Sequence, residues 1–143
     1  VSQPGVVDDL GIDNFVELRI PADAVQLAVP RTVAETIALR RDLDLDTVAD
    51  IKLATDEACA TLIAAAVAHS TLTCRFEVYA DSLTVSVSTT VVREGVPAQG
   101  NLGWFVLEML ADSVNATQIA YDPVMAGYST MIEFTRSGNR VPA

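Results

Sequence analysis

The sequence predicts an α+β two-layer α/β sandwich, with helices on one face of a mostly antiparallel sheet. Three observations carry this: five segments alternate apolar and polar residues with period 2, two long stretches carry an apolar face at helical spacing, and most strands follow the helices. At 143 residues, half of them apolar, the chain suits one domain with a sizeable core.

Residues 1–14 mix Gly, Pro and three Asp without periodicity, and residues 137–143 carry Gly, Asn and Pro, so both read as tails around a domain at 15–136. Phe15 to Ile20 sets Val16, Leu18 and Ile20 on one strand face, ended by Pro21. From Asp23, an N-cap type, to about Arg41, the residues Leu27, Val33, Ile37 and Leu39 predict a helix that Pro30 should kink or shorten. A break at Asp42 to Leu45 leads to a second helix from about Asp46 to Ala68. Val48, Ile51, Ala58, Leu62 and Ala65 line one face of it, and Lys52 and Asp56 sit at the i,i+4 spacing of a supporting ion pair.

Thr71 to Tyr79, then Leu83, Val85 and Val87 beyond Ala80-Asp81, form a hairpin pattern. A loop from Val91 to Gly100 precedes a helix from about Leu102 to Ala111. Two strands close the domain, Val114 to Tyr121 and Tyr128 to Thr135, with a turn at Asp122-Pro123.

A net charge of -10 repels phosphate backbones, which argues against direct nucleic-acid binding and for a basic protein partner. The longest apolar stretch, Leu62 to Ala68, is too short to span a bilayer, and no signal pattern opens the sequence, so no membrane role and a cytoplasmic location are expected. Cys59 and Cys74 lack metal-ligand spacing and read as buried reduced thiols. His69, the only histidine, has no Ser or Cys arranged as a nucleophile and reads as exposed. Arg40, Arg41, Asp42 and Asp44 read as a solvated helix end, and Trp104 and Phe105 as core aromatics.

Two segments carry a resemblance. One is Asp50-Ile51-Lys52-Leu53-Ala54-Thr55-Asp56-Glu57-Ala58-Cys59-Ala60-Thr61-Leu62-Ile63; the other is Gly100-Asn101-Leu102-Gly103-Trp104-Phe105-Val106-Leu107-Glu108-Met109-Leu110-Ala111-Asp112. In this order, across residues 15 to 135, they resemble the N-box helix and glycine box of RsbW-type anti-sigma factors. These belong to the GHKL superfamily with the Bergerat ATPase fold, and the match is closest to their actinobacterial, UsfX-like branch.

The resemblance implies a site for ATP and Mg²⁺ in which Glu57 is the general base of a serine kinase. Thr61 stands where the family has a metal-binding Asn, and it lacks the reach of an amide. The family's Asp-x-Gly-x-Gly, whose Asp bonds the adenine amino group, is expected just after the second hairpin strand. Ser88-Thr89-Thr90-Val91-Val92 stands there, with a Thr89 or Thr90 hydroxyl as substitute acceptor. Gly100 and Gly103 precede a helix whose amides can cradle an anion, although such glycines serve tight loops equally well.

A degenerate nucleotide site of Thr61, Thr89, Gly100 and Gly103 is therefore expected, with Glu57 catalytic only if activity survives. Arg31 falls where the family contacts protein partners. The implied function is an anti-sigma factor that sequesters an alternative sigma factor and is released by an anti-anti-sigma (STAS) protein. A homodimer is also implied. The alternative is an active kinase that phosphorylates the anti-anti-sigma partner.

Overall fold

The computed structural model describes residues 14–97 and 101–138. Along the chain run β1 (Asn14–Pro21), α1 (Ala28–Arg40), α2 (Leu45–Ala65), β2 (Thr71–Val78), β3 (Ser82–Val91), α3 (Leu102–Leu110), β4 (Ser113–Gln118) and β5 (Tyr128–Ser137). The strands form one sheet in the order β1-β2-β3-β5-β4, with every neighbouring pair antiparallel. The two-layer α+β architecture is as expected. Residues 1–13 and 139–143 of the expected tails lie outside the described residues, while Asn14 and Ser137 belong to β1 and β5.

Period-2 alternation sets the core. Leu72, Cys74, Phe76 and Val78 of β2 face the helices beside Leu83, Val85 and Val87 of β3 and Ile132 and Phe134 of β5, all buried. Because side chains alternate across a strand, the intervening residues make a polar outer face. There Arg75 reaches Glu77 at 2.9 Å and Glu17 at 3.7 Å and lies 3.8 Å over the Phe15 ring, and the Ser86 hydroxyl donates to Glu133 at 3.0 Å. These pairs are partly buried on a solvent-facing sheet surface, where such ion pairs contribute on the order of 1 kcal/mol or less.

α2 crosses the helix-facing side with Val48, Ile51, Ala54, Ala58, Cys59 and Leu62 buried. Ala54 and Ala58 carry little side chain, which lets the backbone approach its neighbours closely. Cys59 meets Cys74 of β2 with the sulfurs 3.9 Å apart, both reduced and buried. The hydrogen bond shared with Cys74, and then burial, push the Cys59 thiol far up, so it stays a packed, protonated group.

The helix that Pro30 was expected to kink or shorten is shortened: it begins at Ala28 rather than near Asp23. Asp23 caps a separate 3₁₀ turn (Ala24–Gln26), accepting from the Val25 amide at 3.1 Å, and α1 starts afresh at Ala28. Pro30 then sits in the first turn, where its missing N–H removes no helical bond. Lys52 and Asp56 do not support α2 internally as expected; each reaches across to α1, Lys52 to Glu35 at 3.5 Å and Asp56 to Arg31 at 2.7 Å. α2 ends at Ala65, three residues early, because Ala66 bridges to Val91 and the Val67 amide donates to the Thr90 carbonyl at 2.9 Å.

Asp44, expected to be a solvated end, is the N-cap of α2 and accepts from the Thr47 amide at 2.8 Å. In the same surface depression the Asp112 carboxylate accepts from the Ser137 amide at 2.8 Å. Hydrogen bonds from Thr47 hold Asp44 below its ordinary pKa of 3.8, and those from Ser137 do the same for Asp112. A carboxylate depressed by folding stabilises above its unfolded pKa and loses that contribution as pH falls through the folded value. The D44A/D112A variant should therefore have a lower urea midpoint than wild type near neutral pH, with the gap narrowing as pH drops below 3.8. A constant gap across that range would contradict this origin.

Candidate nucleotide cleft and its lid loop

The C-terminal half of α2, the end of β3 and the start of α3 converge on a cleft of about 430 Å³. It is lined by Thr61, Leu62, Ala65, Val91, the loop Arg93 to Pro97, Asn101 and Thr130. A wider depression of about 670 Å³ around Arg19, His69 and Thr73 is a more open groove at the sheet edge and gathers none of the motif residues.

Glu57 and Thr61 lie one turn apart on α2, and the Thr61 hydroxyl donates to Glu57 Oε2 at 3.3 Å. Gly103 backs directly onto that carboxylate: a Cβ there would sit 2.5 Å from Glu57 Oε2. Three expected site residues, Glu57, Thr61 and Gly103, are thus brought together. Gly100 lies outside the described residues.

The entry to α3 is already capped. Asn101 Oδ1 accepts from the Gly103 amide at 2.8 Å and the Trp104 amide at 3.3 Å, satisfying two of the donors an incoming anion would use. Asn101 was legible as a cap type ahead of an apolar run, yet the glycines on either side drew the reading instead.

Thr89 is not in the cleft. It is buried within β3 and its hydroxyl donates to the Thr71 carbonyl at 2.8 Å, a bond to the neighbouring strand. The error is one of register: β3 continues to Val91 in pairing with β5, so the segment that follows the strand is Val92 to Pro97 rather than Ser88 to Val92. It contains a glycine after all, Gly95, at φ 114°. Arg93-Glu94-Gly95 has the spacing of Asp-x-Gly with a cation in the place of the carboxylate. Besides Thr61, the threonine that lines the cleft is Thr130 of β5, the register partner of Thr89.

Gln118, at the end of β4, ties this loop down. Its Oε1 accepts from the Gly95 amide at 2.8 Å, and Nε2 shares its hydrogens among the Thr130 hydroxyl at 2.9 Å and the carbonyls of Arg93 and Gly95 at 3.3 Å each. A glutamine closing a strand carried no signal in the sequence, because its partners are about 25 residues away along the chain.

Arg31 projects from α1 and holds Asp56 Oδ1 through Nε at 2.9 Å and Nη2 at 2.7 Å, with about a third of each side chain exposed. It lies on the α1–α2 face, away from the residues lining the cleft. His69 is exposed, as expected, at φ 65°. Among the described residues no three His, Cys, Asp or Glu side chains are grouped to hold a metal ion.

A family model for the histidine kinase-like ATPase domain matches residues 20–124. The chain belongs to this family. Two proteins named anti-sigma-F factor RsbW, from Mycobacterium tuberculosis strains CDC 1551 / Oshkosh and ATCC 25618 / H37Rv, are each 38% identical to it over 112 residues, covering 78% of this chain and 67% of theirs. Within this histidine kinase-like ATPase domain, the matched span takes in α1, α2, the hairpin, α3 and β4, and every residue lining the cleft except Thr130. Among the described residues no helix is long and apolar enough to cross a membrane.

Two outcomes follow from this geometry. Gln118→Leu should free the loop, raising hydrogen exchange at the Gly95 amide about tenfold or more while amides in β2 and β3 stay protected. Gly103→Ala should fold, because the group it displaces is the movable end of Glu57, and a cycle with Glu57→Ala should show coupling of about 0.5 kcal/mol or more in chemical denaturation. Strict additivity would mean the two do not touch.

Proposed function

We propose that this protein is an anti-sigma factor: it sequesters an alternative sigma factor and is released when an anti-anti-sigma protein with a STAS domain competes for an overlapping surface. The observation that carries the reading is the 38% identity, over most of both chains, to proteins named anti-sigma-F factor. A net charge of -10 suits a basic partner surface. Binding requires no chemistry, and homodimerisation and a cytoplasmic setting belong to the same reading.

The nucleotide site is read as degenerate. ATP with Mg²⁺ needs donors for its phosphates, oxygen ligands for the metal and a partner for the adenine amino group. Here Asn101 occupies two amides of α3, the Glu57 carboxylate lies beside Gly103, and Arg93 takes the place of an acceptor. Thr61 adds one hydroxyl, already donated to Glu57. The set does not fit Mg-ATP, and no phosphoryl-transfer step is derived through it.

Calorimetry with ATP, ADP and GTP, each with Mg²⁺, should give no binding tighter than about millimolar, an affinity of about -4 kcal/mol. Co-purification from the source organism should recover an alternative sigma factor, which a STAS protein displaces. Phosphate transfer from labelled ATP to that STAS protein, abolished by Glu57→Ala, would establish the kinase alternative instead. Failure to retain any sigma factor would remove the central claim.

A further inference from the structure

The nine residues of α3, Leu-Gly-Trp-Phe-Val-Leu-Glu-Met-Leu, contain a single charge, Glu108. Trp104 and Leu107 are buried in the core. On the opposite face Leu102, Phe105 and Met109 are 77%, 58% and 72% exposed, at the i, i+3, i+7 spacing of one helical stripe. A helix that is apolar on both faces is ordinarily covered on both. Isolated exposed apolar residues need no explanation, but three large ones aligned on a helix do.

The surroundings indicate what covers it. Glu108 flanks the stripe and Glu94 lies in the cleft loop that also borders the entry to α3; neither makes an ion pair among the described residues. Arg136 of β5 is already committed to Asp50 at 2.9 Å and Asp112 at 3.9 Å, while Glu94 has Arg93 as its chain neighbour in the cleft loop, so Glu108 is the carboxylate that marks the stripe. An apolar stripe flanked by the unpaired Glu108, on a chain of net charge -10, complements a helix that is apolar on one face and basic on its flanks. A second copy fits poorly, because apposing two such stripes sets acidic flanks against each other.

We propose that the outer face of α3 is a docking surface for a cationic amphipathic helix of the sequestered sigma factor, with Leu102, Phe105 and Met109 as the apolar anchors. This rests on the anti-sigma reading and adds the surface and the chemistry of its ligand. Because Asn101 both caps α3 and lines the cleft, a partner seated on the stripe also borders the Gln118-tethered loop.

The test titrates the full chain against each alternative sigma factor of its own organism, in wild type, L102S/F105S/M109S and E94K/E108K forms, at low and high salt. The replaced side chains are exposed, so the variants should fold, and an unchanged near-ultraviolet signal of Trp104 checks this. The serine variant should weaken binding about tenfold or more, as expected for loss of buried anchors. The lysine variant should weaken it most at low salt and flatten its salt dependence. A sigma factor bound as tightly by the serine variant as by wild type overturns this proposal and leaves sequestration standing. No sigma factor bound by wild type overturns both. Wild-type self-association lost in the serine variant would make a second copy the occupant and also overturn it.

Discussion

The whole arrangement depends on how closely α2 lies against its neighbours. With Ala54 and Ala58 buried along it, its backbone approaches the rest of the helix layer and the sheet, and Ile51 and Leu62 fill the ends of the contact. From that one placement, Asp56 and Lys52 come within reach of α1, Cys59 meets Cys74, and Glu57 is set against Gly103 of α3. A larger side chain at Ala58 would overpack the layer. The cleft is therefore as much a product of core packing as of the residues that line it.

Around the cleft, polar groups are bonded to one another. The amides at the start of α3 bond Asn101, Thr61 bonds Glu57, and Thr130 and the loop amide of Gly95 bond Gln118. Polar groups that would be exposed acceptors or donors toward a ligand are satisfied within the protein. A ligand entering there would have to break existing bonds as well as form its own, which lowers its net gain.

Much of the fold was legible in the sequence because it rests on short-range periodicity. The alternation of β2 and β3 and the apolar face of α2 follow from neighbours two to four residues apart, and the structure keeps all three. Boundaries were less legible where tertiary bonds intervene. α2 stops at Ala65 because the strand-like pairing of Ala66 and Val67 with the end of β3 competes with another helical turn. Pro30 was legible as a limit on its helix: it occupies the first turn of α1, and Asp23 starts a separate turn before it.

At the candidate site, Glu57, Thr61 and Gly103 were expected from the resemblance of two helical motifs to a family, and because i,i+4 geometry on a helix is fixed the three do come together. Thr89 was missed by about one turn's length of chain because strand ends have no comparable ruler; only the pairing of Val91 with Tyr128 shows where β3 stops. Phe105 was expected inside with Trp104, but adjacent helical positions point about 100° apart, so one bonds the core and the other faces out.

The Gln118 tether has one further property. Every group in it is neutral, so neither proton concentration nor dissolved salt alters it across the range in which the acidic surface titrates or is screened. The conformation of the Arg93 to Pro97 loop is in that sense decoupled from the charge that governs encounter with other molecules. Ionic conditions act on how often a charged molecule arrives, whereas displacing the tether takes hydrogen bonds that compete with those of Gln118.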